Sequence, residues 1–257
     1  MFNPQAVITL AQQAGAAILE IYSRDFAVYD KSDASPLTEA DLASHRCIVA
    51  GLAELTPEIP VLSEESVADE TTDRLSWNRY WLIDPLDGTK EFIKKNGEFT
   101  VNIALIENHQ PVFGVVHAPA LNITWWGQAE QGAFKIGQDG QQAAIQVRTR
   151  PASTSDWKVV GSRSHQSDEF KAFMQQYPDA QLVSMGSSIK LCLVAEGSAD
   201  LYPRLGLTSE WDTAAAQAVV EAAGGLVLQY PDMQPLRCNT KPDTLLNPHF
   251  LVCARPL

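Results

Sequence analysis

RYWLIDPLDGTKEF, residues 79–92, runs from an unbroken apolar segment straight into two acids. Trp81, Leu82 and Ile83 read as a strand buried on both faces, and that strand ends in Asp84 and Pro85. Asp87 follows across an expected turn, so that two carboxylates and the Leu86 carbonyl converge on one point. Close carboxylates repel, and one must take up a proton unless a cation offsets the charge. Ligation by carboxylates, a carbonyl and water is what the hard ion Mg2+ prefers. Gly88 and Thr89 then lead into KEF, which opens a short helix. Exposed N–H groups at a helix start accept phosphate, glycine lets the anion approach, and the Thr89 hydroxyl is suited to hold an attacking water. The competing reading is a surface turn, since Asp, Pro and Gly are its ordinary components. The buried strand directly before it and the acids upstream count against that reading.

Those upstream acids are Glu64 and Glu65 in VLSEES (61–66), a run that taken alone reads as a solvated loop, and Asp41 in PLTEADLA (36–43), where Thr38 and Asp41 form a capping-box variant. Downstream, SEWDTAAA (209–216) puts Asp212 at a helix start, where an N-cap explains it as well as a metal does. Asn3 and Pro4 open a first helix with Val7, Ile8, Ala11, Ala14, Ile18 and Ile21 on its inner face. A second helix is predicted from Thr38 through Leu42, Ile48, Leu52 and Leu55 to Pro57. YWLI, FTVNIALI, PVFGVVH, NITWW, GAFKI and AIQV read as an antiparallel meander with short turns. Beyond the polar stretch RPASTSD (150–156), the strands WKVVGS, QLVSMG, ADLYPR and GLVLQY alternate with helices over 168–176, 188–196 and 213–223. The expected organisation is a helix pair plus sheet over 1–150, carrying most of the acids, and a smaller α/β region over 151–257, carrying Asp212 and substrate contacts. A cleft is expected between them.

The chain has 257 residues, and its 19 Lys plus Arg against 31 Asp plus Glu give 19 − 31 = −12. With 45% apolar and 19% charged residues it has the makings of a core rather than of a disordered coil. The acidic balance disfavours nucleic-acid polymers, which need clustered Lys and Arg. The N-terminus lacks a signal-peptide pattern, and no run approaches the ~18 apolar residues of a membrane span. Cys47, Cys192, Cys238 and Cys253 are scattered, as expected of reduced thiols. His45, His109, His117, His165 and His249 make no zinc motif, and no EF-hand loop is present.

Taken together, SEES, WLIDPLDGTKEF and EWDTAAA resemble the inositol monophosphatase superfamily of Mg2+-dependent, lithium-sensitive phosphomonoesterases. VLSEES, RYWLIDPLDGTKEFIKKNGEFTVNIALI, GSSIKLCLVAEGSADLYPRLG and WDTAA look more narrowly like its 3'(2'),5'-bisphosphate nucleotidase branch, the CysQ type. The resemblance implies an α+β fold, a layered α-β-α-β-α sandwich with the site between its halves. It implies two or three Mg2+ ions held by Glu64, Asp84, Asp87, Asp212 and the Leu86 carbonyl, with Asp84 bridging and Glu65 behind. Thr89, hydrogen-bonded to Asp41, would orient and activate water, while Gly88 and Thr89 take the scissile phosphate. Gly186, Ser187, Ser188, Lys190 and Arg204 would contact substrate together with Glu64, Leu86, Asp87 and Asp212, and residues 162–165 (GSRSH without its glycine) would line a nucleoside pocket.

Arg204 stands where related inositol phosphatases carry an acid that grips sugar hydroxyls, and a cation there suits a second phosphate. The implied reaction is hydrolysis of 3'-phosphoadenosine 5'-phosphate to AMP and phosphate in support of sulfate assimilation, by in-line attack of water and without a covalent intermediate. The implied location is the bacterial cytoplasm, peripheral on the inner membrane face, although no basic amphipathic helix accounts for such docking. An inositol or other sugar phosphatase using the same metals is the alternative enzyme. An acidic cation-binding scaffold is the non-enzymatic one, disfavoured by the presence of every expected ligand and of Thr89.

Overall fold

Asn3 caps the first helix, α1 (Pro4–Tyr22), by accepting from the Gln5 N–H at 3.0 Å, and Pro4 occupies a position whose N–H would have no helical partner. The computed structural model describes residues 2–30, 36–66, 73–149, 151–161 and 167–254. All six apolar residues expected on the inner face of α1 are buried. A short antiparallel hairpin, β1 (Val28–Asp30) with β2 (Pro36–Thr38), leads into α2 (Glu39–Leu55), which opens on the expected Thr38–Asp41 capping box. The inner face of α2 differs from expectation. Leu42 and Leu55 point outward, at 36% and 41% exposure, while Ala40, Asp41, Ser44, Ile48 and Leu52 point inward. Two polar groups thus sit on a buried helix face, which is tolerable only where they find partners.

The first sheet contains β3 (Val61–Ser63), β4 (Arg79–Asp87), β5 (Thr100–Glu107), β6 (Gln110–Ala118), β7 (Ile123–Gln128), β8 (Gly132–Ile136) and β9 (Gln142–Ile145), in that spatial order. The short helix α3 (Thr89–Ile93) lies between β4 and β5. From β4 to β9 every pairing is antiparallel, as the short turns require. Two details depart from the sequence reading. The edge strand β3, not expected from the apolar pair Val61-Leu62, runs parallel to β4, and β9 begins two residues before AIQV.

The second sheet holds β10 (Lys158–Gly161), β11 (Gln181–Ser184), β12 (Leu201–Arg204), β13 (Leu226–Gln229) and β14 (Phe250–Cys253), in the order β11-β10-β12-β14-β13. Helix α4 (Asp168–Met174) follows β10, α5 (Ile189–Ala195) follows β11, and α6 (Ala214–Ala222) follows β12. The strand β14 was not expected, because four buried residues, even behind the turn signal Asn247-Pro248, carry too little periodicity to announce a strand.

Three apolar clusters show the layering. Helices α1 and α2 pack on one face of the first sheet through Ile8, Ile18, Ile48, Trp81 and Ile103. Helices α5 and α6 fill the space between the two sheets, where Leu82, Val116 and Trp125 meet Ile189, Val219 and Val252. Residues of α4 and its neighbours, Phe173 and Tyr177, cover the far face of the second sheet with Trp157 and Leu251. The result is an α-β-α-β-α sandwich. The middle layer lies unusually close to the first sheet, since a Cβ added at Gly114 of β6 would fall 2.1 Å from the Ala215 carbonyl oxygen of α6. All four cysteines are free, three of them buried.

Candidate active site

Asp84 and Asp87 are not separated by a turn, as the sequence suggested, but lie on one strand. Asp84 pairs with Asn102 and Asp87 with Thr100, so β4 advances three residues where β5 advances two. In a regular strand, residues three apart point to opposite faces. The extra residue of this bulge turns Asp87 to the same side as Asp84, a common use of bulges beside functional sites. The Asp84 side chain accepts from the Leu86 N–H at 3.0 Å, and the Ser44 hydroxyl donates to the Pro85 carbonyl at 2.7 Å, pinning the bulge from inside and from α2. Gly88 then caps α3 in a left-handed conformation, φ +93°, which favours glycine.

The inward polar face of α2 meets this bulge. Asp41 accepts from the Thr38 N–H at 2.8 Å and the Thr38 hydroxyl at 2.6 Å through Oδ2, leaving Oδ1 3.2 Å from the Thr89 hydroxyl. Thr89 Oγ1 also lies 3.3 Å from the Leu86 carbonyl, so its one proton has two acceptors to choose between. The parallel pairing of β3 with β4 sets Ser63 opposite Ile83 and carries Glu64, whose N–H donates to the Ile83 carbonyl, alongside Asp84. Glu65 follows in a turn stitched by Ser63, whose hydroxyl accepts from the Glu65 N–H at 3.2 Å and lies 2.9 Å from His45 Nδ1.

Asp212 arrives from the other half of the chain. It is not the cap of α6, a place taken by Thr213; its Oδ2 instead accepts from the Ser209 N–H at 2.8 Å. One oxygen each of Asp84, Asp87 and Asp212 lie within 4.8 Å of one another. The turn 186–188 closes the cleft floor. The Ser188 N–H donates to Asp87 Oδ2 at 2.5 Å, and its hydroxyl reaches Asn102 Oδ1 at 2.9 Å and Thr100 Oγ1 at 2.8 Å. A cleft of about 960 Å3 opens from these residues, lined by Gly186, Ser187, Lys190 and Arg204, by Lys90 and Lys94 of α3, and by Phe170, Met185 and Leu205. Residues 162–165, expected to line a nucleoside pocket, lie outside the described residues.

Burial, reinforced by repulsion among the acids, dominates this constellation. Burial, and then the charges of Glu64, Asp87 and Asp212, hold the Asp84 carboxyl well above the ordinary carboxylate range. Burial lifts Asp87 to about 6, with the Lys190 ammonium and the Ser188 N–H pulling the other way. Asp212 is lifted to about 8 by burial and by Asp87, against the Ser209 N–H, while the Arg204 charge also opposes the rise. A set of hard oxygen donors that resists ionising without a counter-charge fits a divalent cation such as Mg2+. The cations Lys190 and Arg204 stand beside it rather than in it. Lys190 lies over the Tyr202 ring at 5.8 Å, and Arg204 donates to the Leu207 carbonyl at 2.7 Å.

The structure brings Asp84, Asp87 and Asp212 together, sets Glu64 against Asp84 and joins Asp41 to the Thr89 hydroxyl, while Glu65 is held through its backbone in the turn behind. The supporting residues Ser44, Ser63, Asn102 and Thr100 were missed, and only Ser44, three residues after Asp41 on the same helix face, carried a readable signal.

The inositol monophosphatase family profile matches residues 4–255. The 3'(2'),5'-bisphosphate nucleotidase CysQ of Escherichia coli K12 is 50% identical over 249 residues, 96% of this chain and 97% of that protein. Its namesake in Haemophilus influenzae is 36% identical over 251 residues, covering 96% and 90%. The crystal structure of CysQ from Bacteroides thetaiotaomicron, described as a bacterial member of the inositol monophosphatase family, superposes with a TM-score of 0.85 at 42% identity over 99% of this chain and 98% of that one. Matched along nearly its whole length in sequence and in fold, the chain belongs to the inositol monophosphatase family.

Proposed function

We propose that this protein is a Mg2+-dependent phosphomonoesterase that hydrolyses the 3'-phosphate of 3'-phosphoadenosine 5'-phosphate, releasing AMP and phosphate. The observation that carries the reading is the convergence of Asp84, Asp87 and Asp212 within 4.8 Å at the end of a cleft whose walls set Lys90, Lys94, Lys190 and Arg204 beside Glu91 and Glu98. The names of the relatives, 3'(2'),5'-bisphosphate nucleotidases at up to 50% identity, support the substrate. Glu64, Asp84, Asp87, Asp212 and the Leu86 carbonyl would hold Mg2+, which when bound offsets the charge of the phosphate dianion and makes water nucleophilic near neutral pH. Asp41 holds the Thr89 hydroxyl by accepting its proton, leaving the Thr89 oxygen free to accept from the attacking water. The N–H groups of Gly88, the cap of α3, and of Thr89, its first residue, would receive the scissile phosphate. Water adds to phosphorus in line as the bond to the 3'-oxygen breaks, and that oxygen leaves with a proton as the ribose hydroxyl.

Substrate choice belongs to the rest of the cleft. Gly186, Ser187 and Ser188 shape its floor, and Lys190 and Arg204 supply charge for a second phosphate. Arg204 Nε is buried without a partner among the described residues, a donor suited to an anion. A monophosphorylated inositol would leave these cations unused, so the bisphosphate is favoured over the sugar phosphatase reading. The same proposal includes two or three ions per site, inhibition by Li+, a role in sulfate assimilation and a bacterial cytoplasmic location, peripheral at the inner membrane. Among the described residues no helix is long and apolar enough to cross a membrane. Phosphate release with Mg2+ is expected to be far faster from 3'-phosphoadenosine 5'-phosphate than from inositol 1-phosphate at equal concentration. Arg204→Glu should lower kcat/KM for the bisphosphate by at least about 10-fold more than for 3'-AMP; equal losses would remove Arg204 from the second-phosphate site.

A further inference from the structure

Asp212 lies in the loop 205–213 between β12 and α6, so something other than a regular element must hold it opposite β4. Glu210, two residues before it, is fully buried. Its N–H donates to the Leu245 carbonyl at 2.8 Å, its carbonyl receives the Thr213 and Ala214 N–H groups that start α6, and its Oε2 accepts from the Asn239 N–H at 2.7 Å. Asn239 is buried as well, with a left-handed backbone at φ +55°, which asparagine tolerates better than most residues. Its side chain is clasped by Arg74, donating to the Arg74 carbonyl at 2.6 Å and accepting from Nη1. The other guanidinium nitrogen of Arg74 donates to the Lys241 and Pro242 carbonyls at 2.8 and 2.7 Å. Arg74 opens the 3-10 turn Arg74–Ser76, five residues before β4, the strand of Asp84 and Asp87. A buried chain of polar contacts therefore runs from the root of β4 to the loop of Asp212.

Burying a carboxylate and a guanidinium costs free energy that apolar residues of similar size would not, so such a link is better understood as fixing a position than as adding stability. We infer that the Arg74–Asn239–Glu210 bridge sets where Asp212 stands relative to Asp84 and Asp87, making Glu210 a positioning residue for the cation site. The inference rests on the reading of Asp212 as a ligand. Groups that orient metal ligands from behind affect affinity without touching the ion.

The test is a melting-temperature titration of the metal-depleted full-length protein with MgCl2, followed by kcat and KM at saturating Mg2+. Glu210→Ala is expected to raise the half-saturating Mg2+ concentration by about 10-fold or more, and to lower kcat with little change in KM. Glu210→Gln keeps the acceptor for the Asn239 N–H and should restore most of both. Asn239→Ala keeps the N–H to Glu210 but cuts the side-chain link to Arg74 and strains the left-handed backbone, and should move the midpoint in the same direction by less. A lower metal-free melting temperature with unchanged Mg2+ midpoint and kcat in Glu210→Ala would overturn the inference; if that variant does not fold, an unchanged midpoint in Asn239→Ala overturns it equally. Asp212→Asn in the same titration separates the two levels. An unshifted midpoint there rejects the ligand reading itself, whereas a shift there without one in the Glu210 and Asn239 variants rejects only the bridge.

Discussion

Asp84 carries the largest electrostatic burden of any residue in the site, because it is buried and faces Glu64, Asp87 and Asp212 together. Replacing it by asparagine removes a charge that burial and its neighbours oppose, while keeping an oxygen that can accept from the Leu86 N–H. Asp84→Asn is therefore expected to abolish phosphate release yet leave the circular dichroism spectrum intact and the metal-free melting temperature no lower than that of the parent. Full activity in this variant would exclude a ligand role. Asp84 and Asp87 were legible in sequence because acids seldom follow a buried apolar run without a task, whereas Glu64 read alone as a solvated loop and Asp212 as a helix cap, and only the family resemblance picked them out. What was not legible is how Asp84 and Asp87 come to share a side. Spacing alone argued for a turn, and only the pairing with Asn102 and Thr100 exposes the bulge that does it.

Among the elements, α6 is the most constrained, lying against β6 with no room for a side chain at Gly114. Gly114→Ala forces a methyl group into the Ala215 carbonyl, and overpacking of this kind should cost about 2–3 kcal/mol in urea unfolding. A variant within about 0.5 kcal/mol of the parent would mean that α6 can retreat without penalty. Helix α2 shows where element-level reading fails. Its leucines suggested one inner face, but Asp41 and Ser44 occupy it and Leu42 and Leu55 do not, because the site repays burial of those polar groups with hydrogen bonds. The meander was legible from its short turns. The strand pairing of β3 and the existence of β14 depend on long-range partners that no local pattern records.

For the whole molecule, the acids make stability a function of pH. Asp87 and Asp212 titrate at about 6 and about 8 when folded, against an ordinary 3.8, so the folded state holds their protons more tightly than the unfolded chain does. The stability that these two groups contribute to the metal-depleted protein is then fully present below the ordinary carboxylate value and is lost progressively as pH rises from about 4 to about 8. It is opposed by buried His117, which burial lowers to about 4 and whose own contribution is lost as pH falls from its ordinary 6.5. The melting temperature of the metal-depleted protein should fall between about pH 5 and pH 8 by several degrees, and Mg2+ should restore more at the alkaline end than at the acid end. A melting temperature that rises over that interval without metal would contradict the buried-acid picture. The layering was implied by the family resemblance and by the order of elements, but not the ownership of its middle. Helices α5 and α6 come from the C-terminal part of the chain, yet they cover the inner face of the N-terminal sheet. Cleaving the polypeptide near residue 150 would accordingly release neither piece as a self-sufficient body. The first fragment would be left with a bare apolar wall that includes Tyr80, Leu82 and Trp125, and would aggregate unless the second were co-expressed to cover it.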